Sequence, residues 1–214
     1  MKTLIKNVQV YIVEANKYLQ IDDPNENDLR QAWPEISARY PDYERWLCLH
    51  NTELSQSMLD ELNAVLGDDC IELRLYPDTF ICEETPNIEI ITEATFPEFA
   101  AYHDSRDHDI HWTGERIGRD LSMWKIFCLR SADGKISDYI LMSLRNPQTS
   151  EFYCIDTPSV DICKKLISVA AKFAFDSGRT NVLFQATVIE DDMLRDAALD
   201  VGFVVKGFYK GYEI

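Results

Sequence analysis

The stretch of the chain with the clearest capacity for chemistry is Cys154-Ile155-Asp156-Thr157-Pro158-Ser159-Val160-Asp161-Ile162. It follows an aromatic and apolar run, Glu151-Phe152-Tyr153-Cys154-Ile155, that reads as a buried strand. Beyond Ser159, the residues Ile162, Leu166, Ile167, Val169, Ala170, Phe173 and Ala174 recur at helical spacing. Thr157 is expected to cap this helix, with Pro158 in its first turn and Gly178 in the left-handed position past its end. A strand feeding a helix start is suited to anions, because first-turn N–H groups lack internal partners and the dipole turns its positive end toward them. The chemistry in view is therefore capture of a phosphate. A second group interleaves His103, His108 and His111 with Asp104, Asp107 and Asp109. Three histidines can bind zinc, but this spacing is not that of a standard site, and no metal is expected. His111 and Trp112, in a polar loop ahead of a helix, are instead candidate substrate contacts.

Composition narrows the partners. With 214 residues, 46% hydrophobic and 27% charged, the chain can bury one good core, or one domain and a smaller one. A net charge of −16 argues against nucleic acid or an anionic membrane surface as partner. The charge is uneven: residues 1–85 carry 7 basic and 17 acidic side chains, residues 86–214 carry 14 and 20. The first residues show no signal peptide, and no run approaches the ~18 apolar residues of a membrane span. The six cysteines, Cys48, Cys70, Cys82, Cys128, Cys154 and Cys163, form no CxxC pair. They read as reduced thiols, so a cytoplasmic location is expected.

The elements that must position the turn read in order as follows. Residues 7–21 begin with alternation and suggest a strand or hairpin turning near Ala15-Asn16. Residues 22–39 look helical, with Pro34 against a continuous helix. Residues 46–50 read as a strand, 57–66 as a helix ending at Gly67, and 70–75 as a strand. Pro77, Glu83-Glu84 and Pro86-Asn87 mark the expected border between an N-terminal module, 1–85, and a second domain, 86–214. There follow a strand at 88–91, a helix capped by Thr95, a helix at 112–117, and a hairpin of 124–129 with 139–144 turning at Asp133-Gly134. After the strand–turn–helix come a strand at 180–186, a helix at 192–201 and a strand at 203–212. Antiparallel strands leading into a helical crossover make an α+β, or mixed α/β, fold, with about six strands in this half. Met58 to Gly67 also aligns without gaps with Met193 to Gly202, which suggests that 1–85 is a truncated relative of the second half.

The order of elements over 88–214, and the ending Ala197-Ala198-Leu199-Asp200-Val201-Gly202-Phe203, resemble a GNAT-type acyltransferase domain. That superfamily moves an acetyl group from acetyl-CoA to an amine. The likeness spans 127 of 214 residues. It implies acetyl-CoA as co-substrate and a small-molecule or protein amine as acceptor. It places the CoA contacts at Cys154, Ile155, Asp156, Ser159, Val160, Asp161 and Ile162, with Gln185 on the following strand facing a cleft if that strand splays from its neighbour. Acyl transfer to an amine also needs a base for the ammonium and an acid for the departing thiolate. Tyr209 or Tyr212 is the candidate acid, and Glu115 or Asp156 the candidate base. The chain departs from the pattern at its turn, where residues 155–161 contain no glycine. Asp156 and Asp161 add negative charge there, and Ala198 stands where a tyrosine acid is common. The alternative expectation is a non-catalytic GNAT-like domain that binds a ligand or protein partner.

Overall fold

Val8, Val10 and Ile12 are buried while Gln9, Tyr11 and Val13 between them are half-buried, so the alternation seen in the sequence is that of a strand with one face in a core. The structure, a computed structural model, describes residues 1–83, 87–106, 111–187 and 192–214. The first elements are β1 (Lys2–Ile5), β2 (Val8–Val13), β3 (Tyr18–Asp22), α1 (Glu26–Arg39), β4 (Glu44–His50), α2 (Gln56–Leu62) and β5 (Val65–Leu75). They are followed by β6 (Glu89–Ile90), α3 (Phe96–Ser105), α4 (Gly114–Gly118), β7 (Trp124–Arg130), β8 (Ile136–Ser143) and β9 (Thr149–Asp156). The last are α5 (Val160–Asp176), β10 (Asn181–Thr187), α6 (Asp192–Asp200) and β11 (Val204–Glu213). The fold is mixed α/β, and residues 88–214 contribute six strands, β6 to β11. None of the helices among the described residues is long and apolar enough to cross a membrane.

The chain forms two compact units, one of Met1–Ile71 with Gly207–Ile214 and one of Glu72–Lys206. In the first, β1, β2 and β3 pair antiparallel in sequence and β4 joins β3 in parallel. Helix α1 makes that crossover and buries Leu29, Ala32 and Ile36 against Val10, Ile12, Leu19, Ile21, Leu47 and Leu49. The side chain of Asn25 caps α1 by accepting from the N–H groups of Asn27 and Asp28. The helix runs through Pro34 unbroken. The end of β11 pairs antiparallel with β4, from Tyr209 opposite His50 to Glu213 opposite Trp46. Here the expected helix at 57–66 is shortened. It stops at Asn63, whose left-handed φ of 54° terminates it, and Gly67 lies inside β5.

In the second unit β6 pairs with β7, β7 with β8 and β8 with β9, all antiparallel, and β10 joins β9 in parallel through α5. Cys163, Leu166, Ile167, Ala170, Ala171 and Ala174 are the buried apolar positions of α5. Phe173, read as part of that face, is half-buried and stacks edge-on with Phe127 at 5.6 Å. Both units follow one order: three strands joined antiparallel, a crossover helix, a parallel fourth strand, a shorter helix and a long final strand. The segments that align at Met58 and Met193 fall on α2 and α6, which are equivalent in that order. Of the border expected near 85, residues 84–86 lie outside the described residues. Just before it, the Ile81 N–H donates to the Val201 carbonyl at 2.9 Å and the Glu83 N–H to Ser168 Oγ at 3.4 Å.

Candidate functional site

The parallel pair β9/β10 is zipped over four rungs only, from Asn181 opposite Thr149 to Phe184 opposite Phe152. Both strands continue beyond that point, β9 to Asp156 and β10 to Thr187. Those backbone amides of Ile155 and Asp156 that point away from β8 lie past the last rung with β10. The equivalent pair of the first unit behaves differently. There β3 is matched to β4 along its whole length, from Tyr18 opposite Glu44 to Asp22 opposite Cys48, and the Asp23 N–H still reaches the Cys48 carbonyl at 2.9 Å. The sheet of the second unit forks, and that of the first does not.

A second irregularity sits at the fork. Leu141 opposes Cys154 but Met142 opposes Phe152, so Tyr153 is an extra residue in β9. Such a bulge bends the strand and redirects side chains. Phe152 and Ile155 are both buried although three residues apart. Tyr153 meets Trp124 at 5.2 Å, and Cys154 Sγ meets Tyr139 Oη at 3.2 Å. Phe203 closes the base of the fork, packing at 6.0 Å from Phe152 and 6.5 Å from Phe184, the last paired rung. Gly202 before it takes φ +104°, and a side chain there would strike the Thr79 carbonyl. The Gly-Phe ending noted in the sequence thus serves to wedge the two strands.

The turn after β9 is built differently from expectation. Ser159, not Thr157, is the cap of α5: its side chain accepts from the Ile162 N–H, and Pro158 precedes the helix. Thr157 points inward instead, buried, donating to Asp138 Oδ1 at 2.7 Å and accepting from the Ser159 N–H at 3.2 Å. Val160 and Asp161 are first-turn positions, whose N–H groups a helix cannot satisfy internally. Asp156 does not burden this turn with free charge, because the Arg106 guanidinium holds its carboxylate in two contacts of 2.9 and 3.1 Å. Asp161 is exposed. Of the nearby cations, Lys164 pairs with Asp200 at 2.5 Å and Lys125 lies 5.1 Å from the ring centre of Phe173. Beyond the last rung, β9 ends at a helix start that offers two first-turn backbone donors rather than a glycine cradle.

Among the other expected site residues, Gln185 is the first position of β10 past the last rung and is half-buried. Trp112 is packed, 5.1 Å from Trp124, with the Arg145 guanidinium 4.5 and 4.4 Å from the two indole rings. His111 is half-buried, and Arg116 Nη1 donates to its Nδ1 at 2.8 Å. Glu115 is exposed and pairs with Arg119 at 2.6 Å. Tyr209 and Tyr212 belong to the first unit. Tyr209 Oη accepts from Trp46 Nε1 at 3.0 Å and touches Cys48 Sγ at 3.3 Å, and burial raises its pKa well above the ordinary tyrosine value. Tyr212 packs against that unit's core. Asp107, His108 and Asp109 lie outside the described residues. Among the described residues no cluster of three metal-ligating side chains converges. Three residues at the site carried no sequence signal: Tyr139, Trp124 and the bulged Tyr153 read simply as strand.

No protein-family model matches the chain. No curated protein sequence matches it either. Solved structures do. A GCN5-related N-acetyltransferase from Kribbella flavida superposes with TM-score 0.69 at 12% identity, covering 100% of this chain and 88% of that one. A putative acetyltransferase of the GNAT family from Novosphingobium aromaticivorans gives TM-score 0.66 at 13% identity, covering 95% and 86%. The N-myristoyltransferase of Saccharomyces cerevisiae with bound myristoyl-CoA gives 0.58 at 13% identity, covering 100% and 62%. The fold is that of the GNAT N-acetyltransferases.

Proposed function

We propose that this chain is an acyl-CoA-dependent N-acetyltransferase whose acceptor is a small-molecule or protein amine. The observation that carries the proposal is the fork between β9 and β10 with its bulge at Tyr153. A strand that runs on past its pairing with a neighbour can offer backbone donors along that edge, and the bulge bends the strand there. Acetyl-CoA would supply the activated acyl thioester. The amides of Ile155 and Asp156 would hold its extended arm, with Gln185 on the opposite lip. Val160 and Asp161 would offer backbone N–H groups to the phosphates, and Ser159 would hold the helix start in place. His111 and Trp112 would border the acceptor. Support also comes from the myristoyl-CoA bound in one structure of this fold. Residues 1–85 are proposed to be a partial GNAT-like half, because their strands and helices repeat the order of the second unit without its fork.

A second reading, a GNAT-like domain that binds a ligand or partner without catalysis, is favoured by the absence of glycine over 155–161. Calorimetric titration with acetyl-CoA separates the two. Saturable binding that is competed by free CoA supports the transferase. No heat at millimolar acetyl-CoA removes it and leaves the binding module.

A further inference from the structure

The pairing of β9 with β10 ends in aromatic side chains. Phe152 and Phe184 stand opposite each other on the last rung, 6.3 Å apart between ring centres. Phe203 packs at 6.0 Å from the first and 6.5 Å from the second. The three residues are 3–4% exposed, so their rings interlock as in a core and leave no room among them for a further group. Behind them the two backbones stay paired down to Asn181 and Thr149, and nothing can thread between the strands there. The position of Phe203 is also fixed. Gly202 ahead of it takes φ +104°, with the Thr79 carbonyl where a side chain would be. The Val201 carbonyl accepts from the Ile81 N–H at 2.9 Å, and the Phe203 N–H donates to the Ala198 carbonyl at 3.1 Å. Moving this ring aside therefore disturbs backbone hydrogen bonds on either side of Gly202.

We infer that Phe152, Phe184 and Phe203 set the length of the acyl group that this chain accepts: a short one ends against the rings, and a long linear one is excluded. This rests on the acyl-CoA reading of the fork and names the side chains that would decide which acyl-CoA serves as donor. An arm whose phosphates lie at the start of α5, and which runs back along Asp156 and Ile155, comes about 3.3 Å nearer to Phe152 with each residue. Its thioester end therefore points at the last rung, and whatever the sulfur carries meets the three rings next. An acetyl group adds a single methyl beyond the carbonyl. A longer chain has to displace packed rings, and overpacking of that kind costs about 5–150-fold in affinity. In an open apolar channel the sign is opposite, and each added methylene tightens binding about fourfold. The fold does not decide between these, since an N-myristoyltransferase of similar fold holds myristoyl-CoA. The side chains at the last rung do.

The test titrates the full chain with acetyl-, butyryl-, hexanoyl- and octanoyl-CoA, with free CoA as the reference, and reads affinity by calorimetry. In the native protein octanoyl-CoA should bind about fivefold or more weakly than acetyl-CoA. Phe203→Leu and Phe184→Leu each trim one ring and keep an apolar side chain in its place. Each should raise the ratio of octanoyl-CoA to acetyl-CoA affinity by about fivefold or more. The ratio is the readout because a variant that only loosens the fork weakens every acyl-CoA alike and leaves it unchanged. The native series needs neither variant to fold. Octanoyl-CoA binding to the native protein as tightly as acetyl-CoA, or more tightly, overturns the inference while the transferase reading stands. A ratio that both variants leave at its native value overturns it as well. If neither the acyl-CoA series nor free CoA binds the native protein, the transferase reading fails and the length filter fails with it.

Discussion

Thr157→Val is the most direct probe of how the turn at the fork is held. The Thr157 side chain is 8% exposed and makes two hydrogen bonds, to the buried carboxylate of Asp138 at 2.7 Å and from the Ser159 N–H at 3.2 Å. Valine has nearly the same shape and can make neither. The bond to Asp138 involves a charged acceptor and is worth about 1.5–3 kcal/mol. The carboxylate keeps a second donor, Ser137 Oγ at 2.6 Å, so it is weakened rather than abandoned. The Ser159 N–H is nearer to solvent, and water replaces most of what it loses. The expected total is about 2–3.5 kcal/mol. Thr157→Ser keeps both bonds and loses one methyl, for about 0.8 kcal/mol. Urea denaturation should show the two midpoints well separated at a common slope. In a chain of this size the valine variant should also melt about 4–14 °C lower, at roughly 2–4 °C per kcal/mol. Because Thr157 fixes Ser159, and Ser159 caps α5, acetyl-CoA affinity should fall in the valine variant and hold in the serine one. A valine variant as stable as the native protein, or a serine variant as damaged as the valine one, would refute the account of the turn.

Three further outcomes are expected. Phe203→Ala should cost about 3–5 kcal/mol, as for other buried aromatic truncations, and weaken acetyl-CoA binding by loosening the fork. Calorimetry and urea melts together check it, and a loss of stability without loss of affinity would separate Phe203 from the site. Asp161→Asn should tighten CoA binding by about fivefold at low salt, the scale of a charge about 4 Å away in a watery environment, with the gain shrinking as salt is added. Unchanged affinity would place the phosphates elsewhere. Arg130 holds Glu89 at 2.7 Å and Glu98 at 2.7 Å, and these bonds lower both glutamate pKa values below their ordinary range. A lowered folded pKa means that this stabilisation is present above the unfolded glutamate pKa and is lost as pH falls through the folded one. Arg130→Gln should therefore be less stable than the native protein at neutral pH, and the gap in urea midpoints should close in acid. A gap that stays constant below the glutamate range would contradict the pairing.

The sequence by itself determined the elements and most of their order. Spacing of Leu166, Ile167, Ala170 and Ala174 marks α5, alternation marks β2 and β5, and Asp133-Gly134 marks the β7/β8 turn, where Gly134 does take φ +83°. These signals are local, because helical and strand periods are set within a few residues. The Gly202-Phe203 ending carried the likeness to the fold for the same reason, since a left-handed glycine followed by a buried aromatic is written in two adjacent letters. What tertiary structure alone decided was every feature of the site that depends on distant partners. Strand pairing stops at Phe184 and Phe152, and no residue type announces where a parallel register ends. The bulge at Tyr153 arises from how β9 meets β8, so the run Phe152-Tyr153-Cys154 reads as ordinary strand in the sequence. Asp156 looked like an obstacle to phosphate until Arg106, 50 residues away, was seen to neutralise it. Thr157 looked like a helix cap, but Asp138 lies within reach and offers it a stronger acceptor, which leaves the cap to Ser159. Cys154, Tyr139 and His103 come from a strand, its neighbour and a helix. Their hydrogen bonds span separations of 15 and 36 residues, and only the packing of α3 against the sheet brings them into one line.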